Sequence, residues 1–171
     1  RSTHCISSAA SDVYKRQNKD RQKNLKKKYG INISSTSTEL VNSSEIILVA
    51  VKPNILPMVM ENIKSVVDDS KVIISVAAGV TIAAIEEKLG NKAKIIRTMP
   101  NTPAFVGLGM TSMSPNRNVT PEEVIITKQI LEGFGEVEEV PETLIHSVIG
   151  VSGSAPAYVF MFIEAMADAA V

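Results

Sequence analysis

The feature that most constrains the fold is an almost unbroken apolar run from Glu45 to Val51, which Lys52 and Pro53 close. Aliphatic residues without polar alternation are typical of a strand that is buried on both faces of a parallel sheet, so we predict a central strand here. Because Pro53 suits the first turn of a helix, the strand is expected to end near Val51. Lys52 then lies at the carboxyl end of the strand, where open α/β sheets bind ligands. The alternative is an ordinary solvated loop lysine.

The rest of the chain repeats this pattern of apolar strands and amphipathic helices. Strands that alternate with helices of about ten residues predict an α/β fold with a doubly wound, mostly parallel sheet. The predicted strands cover residues 30–33, 45–51, 71–77, 93–99, 110–113 and 134–140, and the predicted helices cover residues 18–29, 36–42, 54–67, 81–89 and 121–132.

The two ends of the chain depart from this pattern. Residues 1–17 lack its periodicity, and we interpret them as a foreign, disordered leader. Residues 18–141 form the predicted α/β domain. From residue 142 the pattern is helical, with a Ser-Gly-Ser loop at 152–154 and a helix over 156–171 that is apolar nearly all round. Such a helix is expected to be buried on every side, so residues 142–171 read as the truncated start of a helical domain that needs a partner.

Composition excludes several classes of protein and of site. Cys5 is the only cysteine, and His4 and His146 are the only histidines, so neither a disulfide framework nor a histidine or cysteine metal cluster is expected. We find no apolar run of the ~18 residues that span a bilayer, which predicts a soluble, cytoplasmic protein without a membrane partner. Residues 1–30 carry nine Lys and Arg against two acids, but with few aromatic residues, so nucleic-acid binding is not expected.

Three predicted strands end in small or turn-forming residues, at 50–53, 77–79 and 99–103. The carboxyl ends of parallel strands share one edge of a sheet, so these segments are expected to line one crevice. Ala77, Ala78 and Gly79 have almost no side chain, which lets a ligand lie against the backbone. Close packing of a helix on the sheet is an equally good explanation for these three residues taken alone.

Two further sets of polar residues are candidates for ligand contacts. Asn101 lies between prolines in a rigid loop, where its amide could position a carboxamide or carboxylate, or form a turn. Ser152, Gly153 and Ser154 precede a predicted helix, whose free amides would bind a carboxylate, although plain helix capping is the alternative. His146 is interpreted as a packed or surface histidine. Neither Gly-x-Gly pair, at 107–109 and 133–135, has the third glycine of a dinucleotide-binding loop.

Four motifs together resemble the pyrroline-5-carboxylate reductase family over residues 18–171. They are Ala-Val-Lys-Pro at 50–53, Ser-Val-Ala-Ala-Gly-Val-Thr at 75–81, Met-Pro-Asn-Thr-Pro-Ala at 99–104 and Ser-Gly-Ser-Ala-Pro-Ala-Tyr at 152–158. The resemblance implies a Rossmann domain that binds NADPH or NADH, followed by an all-helical domain through which subunits dimerise. It implies reduction of 1-pyrroline-5-carboxylate to L-proline, the last step of proline biosynthesis.

The resemblance also implies roles for individual residues, and no dedicated acid or base is assigned. The implied cofactor-binding residues are Ser37, Ala50, Val51, Lys52, Pro53, Ala77, Ala78, Gly79 and Asn101. The implied substrate-binding residues are Glu142, Ser152, Gly153, Ser154 and Ala155.

The chain departs from the family pattern in four places. The Gly-rich first loop and the later Gly-Gly-Thr-Thr turn are missing, Ala155 replaces a usual glycine, and Ser37 replaces a usual asparagine. We therefore expect a fragment that is inactive alone. Lys19 and Arg21 are placed to pair with a 2′-phosphate, which favours NADPH. Another NAD(P)-dependent oxidoreductase of the same superfamily and a non-catalytic nucleotide-binding or assembly module remain alternatives.

Overall fold

A computed structural model describes residues 13–14 and 19–171. The strands are β1 (Val13–Tyr14), β2 (Asn32–Ile33), β3 (Ile46–Val49), β4 (Val72–Ser75), β5 (Lys94–Met99), β6 (Gly109–Pro115) and β7 (Gly135–Glu139). The α-helices are α1 (Lys19–Tyr29), α2 (Ser37–Asn42), α3 (Leu56–Ile63), α4 (Ile82–Leu89), α5 (Pro121–Leu131), α6 (Ile145–Val148) and α7 (Ala155–Asp168). Short 3₁₀ turns cover Thr102–Val106, Glu132–Phe134 and Glu142–Leu144, and Ile149–Gly153 is a π-helical turn.

Strands β3 to β7 form one five-stranded sheet in chain order, and all neighbours are parallel except β5 and β6. Because side chains alternate across a strand, Ile73 and Ile95 lie on one face, and Ile74 and Ile96 lie on the other. The first face packs against α2, α3 and α4, and the second packs against α5. The predicted mostly parallel, doubly wound sheet is therefore confirmed.

The position of β3 corrects the prediction of a central strand. It is an edge strand of the five-stranded sheet, and Leu48 is 44% exposed while Ile47 and Val49 are buried. The face that holds Ile47 and Val49 belongs to the core under α2 to α4. On the opposite face Ile46 is partly buried against the core under α5 while Leu48 is exposed, so this face of the strand is only partly covered. A uniformly apolar run cannot by itself distinguish these two situations.

The segment after β3 also differs from its prediction. Residues 53–55 form a turn in which the Ile55 amide donates to the Lys52 carbonyl at 2.9 Å, and α3 begins at Leu56. The proline in the first turn of the helix is therefore Pro57 rather than Pro53. Either proline would suit the first turn of a helix, but residues 53–55 form a separate turn, so Pro57 occupies that position.

Most of the predicted leader, at 1–12 and 15–17, lies outside the described residues. The described part of it, β1, pairs in parallel with β2, a two-residue ladder that was not predicted. The foreign origin of residues 1–17 stays a prediction.

Helix α5 begins with a capping box that extends to a neighbouring strand. The Thr120 hydroxyl accepts from the Glu123 amide, and the Glu123 carboxylate accepts from the Thr120 amide and from Lys94 at 2.7 Å. Burial works against the charged form of Glu123 and is the largest single influence. The hydrogen bonds from Lys94 and Thr120 outweigh it and hold the pKa of the carboxyl below its usual value.

This arrangement predicts a pH-dependent contribution to stability. Since the pKa of Glu123 is lower in the folded state, its contribution is present above the unfolded pKa and is lost as the pH falls through the folded pKa. We expect the native chain to exceed Glu123→Gln in unfolding free energy by about 1 kcal/mol at neutral pH. Urea unfolding at a series of pH values should show this gap closing below about pH 4. A gap that stays constant to pH 3 would contradict the prediction.

From Glu142 to Asp168 the chain is one continuous helical stretch, which corrects the predicted Ser-Gly-Ser loop. Ile149–Gly153 winds as a π-turn, and the Ser154 amide donates to the Ile149 carbonyl at 3.0 Å. Helix α7 therefore has no free amino end at Ser152–Ser154, and the Ser154 side chain does not cap it. The predicted start of a helix at these residues is therefore wrong, because they continue a helix, and their contact with a substrate carboxylate stays a prediction.

Helix α7 is apolar and exposed. Phe160 is 69% exposed and Met161 is 66% exposed, so the burial that the sequence predicts is not supplied by the described residues. By length and composition, Glu142–Asp168 also qualifies as a candidate membrane span, with a mean hydropathy of 1.4. This corrects the expectation that no segment would reach that length. The criterion is weak evidence, because core helices of soluble proteins also satisfy it.

Candidate functional site

The ends of β3, β4 and β5 lie at one edge of the sheet, which we call the rim. Parallel pairing places Val49, Ser75 and Arg97 in register across the three strands. The segments that follow, at 50–53, 77–79 and 99–103, therefore leave the sheet on the same side. The structure thus brings together the three segments that the sequence places far apart.

The loop between β4 and α4 presents backbone rather than side chains at the rim. The Ala77 amide donates to the Ser75 hydroxyl at 3.3 Å, and Ala77 itself is buried. Ala78 and Gly79 are exposed, and a Cβ at Gly79 would meet nothing within 4 Å. Gly79 has φ of +77°, a left-handed conformation that favours glycine. The backbone of this loop is consequently open to close approach by a ligand.

The loop after β3 is the second wall of the rim. Ala50, Lys52 and Pro53 are exposed, and Val51 is partly buried against the core under α2 to α4. Within the described part of the chain, Lys52 forms no ion pair, so its cation is available to an anionic ligand. Ser37 lies away from this loop in the chain, in the first turn of α2, and its cofactor contact stays a prediction.

Asn101 joins the rim to the helical stretch. Its Oδ1 atom accepts from the Met110 amide at 2.9 Å, and its Nδ2 donates to the Ser152 hydroxyl at 3.2 Å. The side chain therefore fixes the start of β6 and one turn of the helical stretch relative to the end of β5. Among the predicted cofactor-binding residues, Asn101 is the only one whose described hydrogen bonds reach a predicted substrate-binding residue, Ser152.

Glu142 lies at the start of the helical stretch and contacts the other side of the rim. Its Oε1 atom accepts from the Ile82 amide at 2.8 Å and from Arg97 Nη1 at 2.9 Å. Ile82 is the first residue of α4, so the carboxylate also meets the positive end of that helix. The predicted substrate contact of Glu142 stays a prediction, and one of its two oxygens already has these two donors.

Sequence reasoning missed Arg97, whose side chain is 3% exposed and which completes this arrangement. Its signal in the sequence is a cation at an interior position of the mostly apolar strand Lys-Ile-Ile-Arg-Thr-Met, in which the other cation, Lys94, is the first residue. A buried charge requires a partner, so the sequence predicts an acid near Arg97, but it does not identify Glu142 among the acids at 136–142. His146 is exposed on α6, in agreement with the interpretation as a surface histidine.

Two family models match separate parts of the chain. The model described as "NADP oxidoreductase coenzyme F420-dependent" matches residues 3–79, and the model described as "Pyrroline-5-carboxylate reductase dimerisation" matches residues 142–171. The Escherichia coli pyrroline-5-carboxylate reductase is 50% identical over 147 residues, which cover 86% of this chain and 55% of that protein. The Methanosarcina acetivorans protein of the same name is 40% identical over 162 residues, covering 95% and 58% of the two chains.

The chain belongs to the pyrroline-5-carboxylate reductase family. Solved structures agree with this assignment. The Coxiella burnetii pyrroline-5-carboxylate reductase is 32% identical with a TM-score of 0.88, covering 92% of this chain and 59% of that one. The Plasmodium falciparum pyrroline carboxylate reductase, which was solved with NADP bound, is 33% identical with a TM-score of 0.78, covering 92% and 56%.

The chain spans about half the length of the curated pyrroline-5-carboxylate reductases that it matches. More distant structures share the fold alone. Prephenate dehydrogenase from Aquifex aeolicus, for example, is 12% identical with a TM-score of 0.62. The family therefore rests on the closer relatives, and the site residues must be argued from this chain's own geometry.

Proposed function

We propose that the chain forms the nucleotide-binding half of a cytoplasmic pyrroline-5-carboxylate reductase, which reduces 1-pyrroline-5-carboxylate to L-proline with NAD(P)H. The observation that carries the proposal is the link between Asn101 and Ser152, since it holds a predicted substrate turn against the edge of the sheet where dinucleotides bind. The names of the relatives support the same reaction.

The rim residues fit a dinucleotide. Ala78 and Gly79 leave the backbone between β4 and α4 exposed, so that a flat ring or a pyrophosphate can approach without meeting a side chain. Lys52, which forms no ion pair with the described residues, supplies a cation on the neighbouring loop. Lys19 and Arg21, which favour NADPH from the sequence, have side chains outside the described part of the chain.

The proposed reaction requires the protein mainly to align the two reactants. When bound, the nicotinamide supplies the hydride, and a cyclic imine that protonates in water is already electrophilic at the C=N carbon. The residues of this chain then have to hold the two reactants in contact and bind the substrate carboxylate. Asn101 fixes the rim, while Ser152, Gly153, Ser154 and Ala155 present the helical stretch toward the substrate.

The exposed apolar surface of α7 supports a homo-oligomer in this proposal. Phe160, Met161 and Phe162 are all more than half exposed, and the family model that matches this region is named for dimerisation. Burial of these side chains against a second copy would remove a large apolar area from water.

A chimeric enzyme tests the proposed reaction. The 147-residue region matched by the E. coli reductase would be replaced by the corresponding residues of this chain. We expect NADPH oxidation that depends on 1-pyrroline-5-carboxylate, at a rate within about tenfold of the parent enzyme. A folded chimera that binds NADPH without turnover would favour the nucleotide-binding module. Turnover of a different substrate in a panel would favour another oxidoreductase of the superfamily.

Asn101 gives a sharper prediction within the same chimera. Asn101→Ala removes the hydrogen bond to Ser152 in the helical stretch and the one from the Met110 amide in β6, so we expect kcat/KM to fall about 100-fold. Asn91→Ala is the matched control, because Asn91 is exposed in the loop before β5, at the opposite edge of the sheet. Equal activity of the two variants would remove Asn101 from the proposed site.

A further inference from the structure

Arg97 is buried where an unpaired cation would be strongly unfavourable. It follows Ile95 by two residues, so it lies on the face of β5 that packs under α2 to α4. Its side chain is 3% exposed, and its ion pair within the described part of the chain is with Glu142. Burial without a partner costs several kcal/mol, so the position of Glu142 is strongly determined by Arg97.

A single carboxylate oxygen ties three parts of the chain together. Glu142 Oε1 accepts from Arg97 on β5 and from the amide of Ile82, the residue that begins α4. These two donors are 45 and 60 residues away in the sequence. The contact therefore fixes the loop between β4 and α4 relative to the start of the helical stretch.

The helical stretch is held at a second point ten residues further on. Asn101 donates to Ser152, and between the two contacts the side chain of Ile145 is fully buried. Glu142 is 31% exposed, so the first contact lies at the boundary between the core and solvent. Because the two polar contacts and Ile145 lie on the same stretch, loss of Glu142 would release its amino end first.

We propose that Glu142 is a positioning residue: its carboxylate, held by Arg97 and the Ile82 amide, seats the helical stretch on the rim so that Ser152 meets Asn101. The consequence for substrate alignment rests on the proposed function. The seating itself does not, because it concerns contacts within this chain alone.

Hydrogen exchange measured by mass spectrometry tests the seating without nucleotide or turnover. In Glu142→Ala we expect amides of residues 145–155 to exchange about tenfold faster, while those of β4 and β5 change less than twofold. Glu139→Ala is the matched control, because Glu139 is an exposed acid three residues earlier, at the end of β7. Glu139→Ala should leave the exchange rates of residues 145–155 and of β4 and β5 unchanged.

Added acetate distinguishes positioning from a general loss of stability. The vacated space faces the Arg97 cation and the Ile82 amide, so about 100 mM acetate should slow exchange at 145–155 in Glu142→Ala. Chloride at equal ionic strength should not slow exchange in Glu142→Ala, and neither salt should change the exchange rates of the native chain. If exchange rises equally in β4 and β5, or if acetate has no effect, the proposal is wrong. Should Glu142→Ala fail to fold, Glu142→Gln decides. It keeps an acceptor oxygen but loses the charge that pairs with Arg97, so exchange should rise at 145–155 and not in β4 and β5, and no rise at 145–155 would contradict the proposal.

Discussion

Gly135→Ala is expected to cost about 4 kcal/mol of unfolding free energy, a large fraction of the 5–15 kcal/mol that holds a typical domain. Gly135 has φ of 138° and ψ of −151°, a region that only glycine adopts without strain. A Cβ atom there would lie 2.0 Å from the carbonyl oxygen of Gly109, its partner in the ladder between β6 and β7. Strand β7 would have to move away from β6 to accommodate it.

Gly133→Ala is the control for this prediction, two residues away in the same connection. A Cβ at Gly133 would meet nothing within 4 Å, and Gly133 does not have a positive φ. We expect its unfolding free energy to lie within about 1 kcal/mol of the native chain, because the added Cβ mainly restricts the unfolded state. Urea unfolding followed by circular dichroism measures both variants. Equal stability of the two would show that β7 can shift without cost.

The two Gly-x-Gly pairs illustrate what the sequence could and could not predict. At 107–109 and 133–135 each pair lacks the third glycine of a phosphate-binding loop, so the sequence excludes a dinucleotide-binding loop at either pair but does not say what the glycines do. The structure brings Gly109 and Gly135 into direct opposition, so that their backbones pack where no side chain fits. Two strands that pair across 26 residues cannot be matched from local spacing alone.

The parts of the fold that depend on local chemistry were predictable. Thr36, Thr81 and Thr120 each accept from the amide three residues further on, in the helix that they precede. A hydroxyl residue placed just before an apolar periodic segment indicates such a cap. The parallel strands and the shared rim followed in the same way from the alternation of strands and helices.

The parts that failed depend on neighbours that a local pattern does not reveal. The 152–154 segment contains the residues of a loop, but Ser154 hydrogen-bonds to Ile149 and continues a helix through a π-turn. In the same way, the role of Arg97 depends on Glu142, which follows it by 45 residues. Small and polar residues are compatible with several backbone conformations, and tertiary contacts determine which one the segment adopts.

The edge position of β3 leads to the second large expected effect. Leu48 and Ile74 are direct partners in the register of β3 and β4, on the same face of the sheet, yet Leu48 is 44% exposed and Ile74 is 0% exposed. Ile74→Ala should therefore lower the unfolding free energy by about 3–4 kcal/mol, since it leaves a cavity beside Ile96 and Met113 in the core under α5.

Leu48→Ala removes a side chain of similar size from the neighbouring strand and is the natural control. Because water already reaches Leu48, its removal should cost no more than about 1 kcal/mol. Denaturant unfolding of the two variants at several protein concentrations measures the difference. If Leu48→Ala costs as much as Ile74→Ala, and the cost grows with protein concentration, a second copy covers this face in solution and β3 is internal to the assembly. If the costs are equal at every concentration, another part of the same chain buries Leu48, and the edge assignment is wrong.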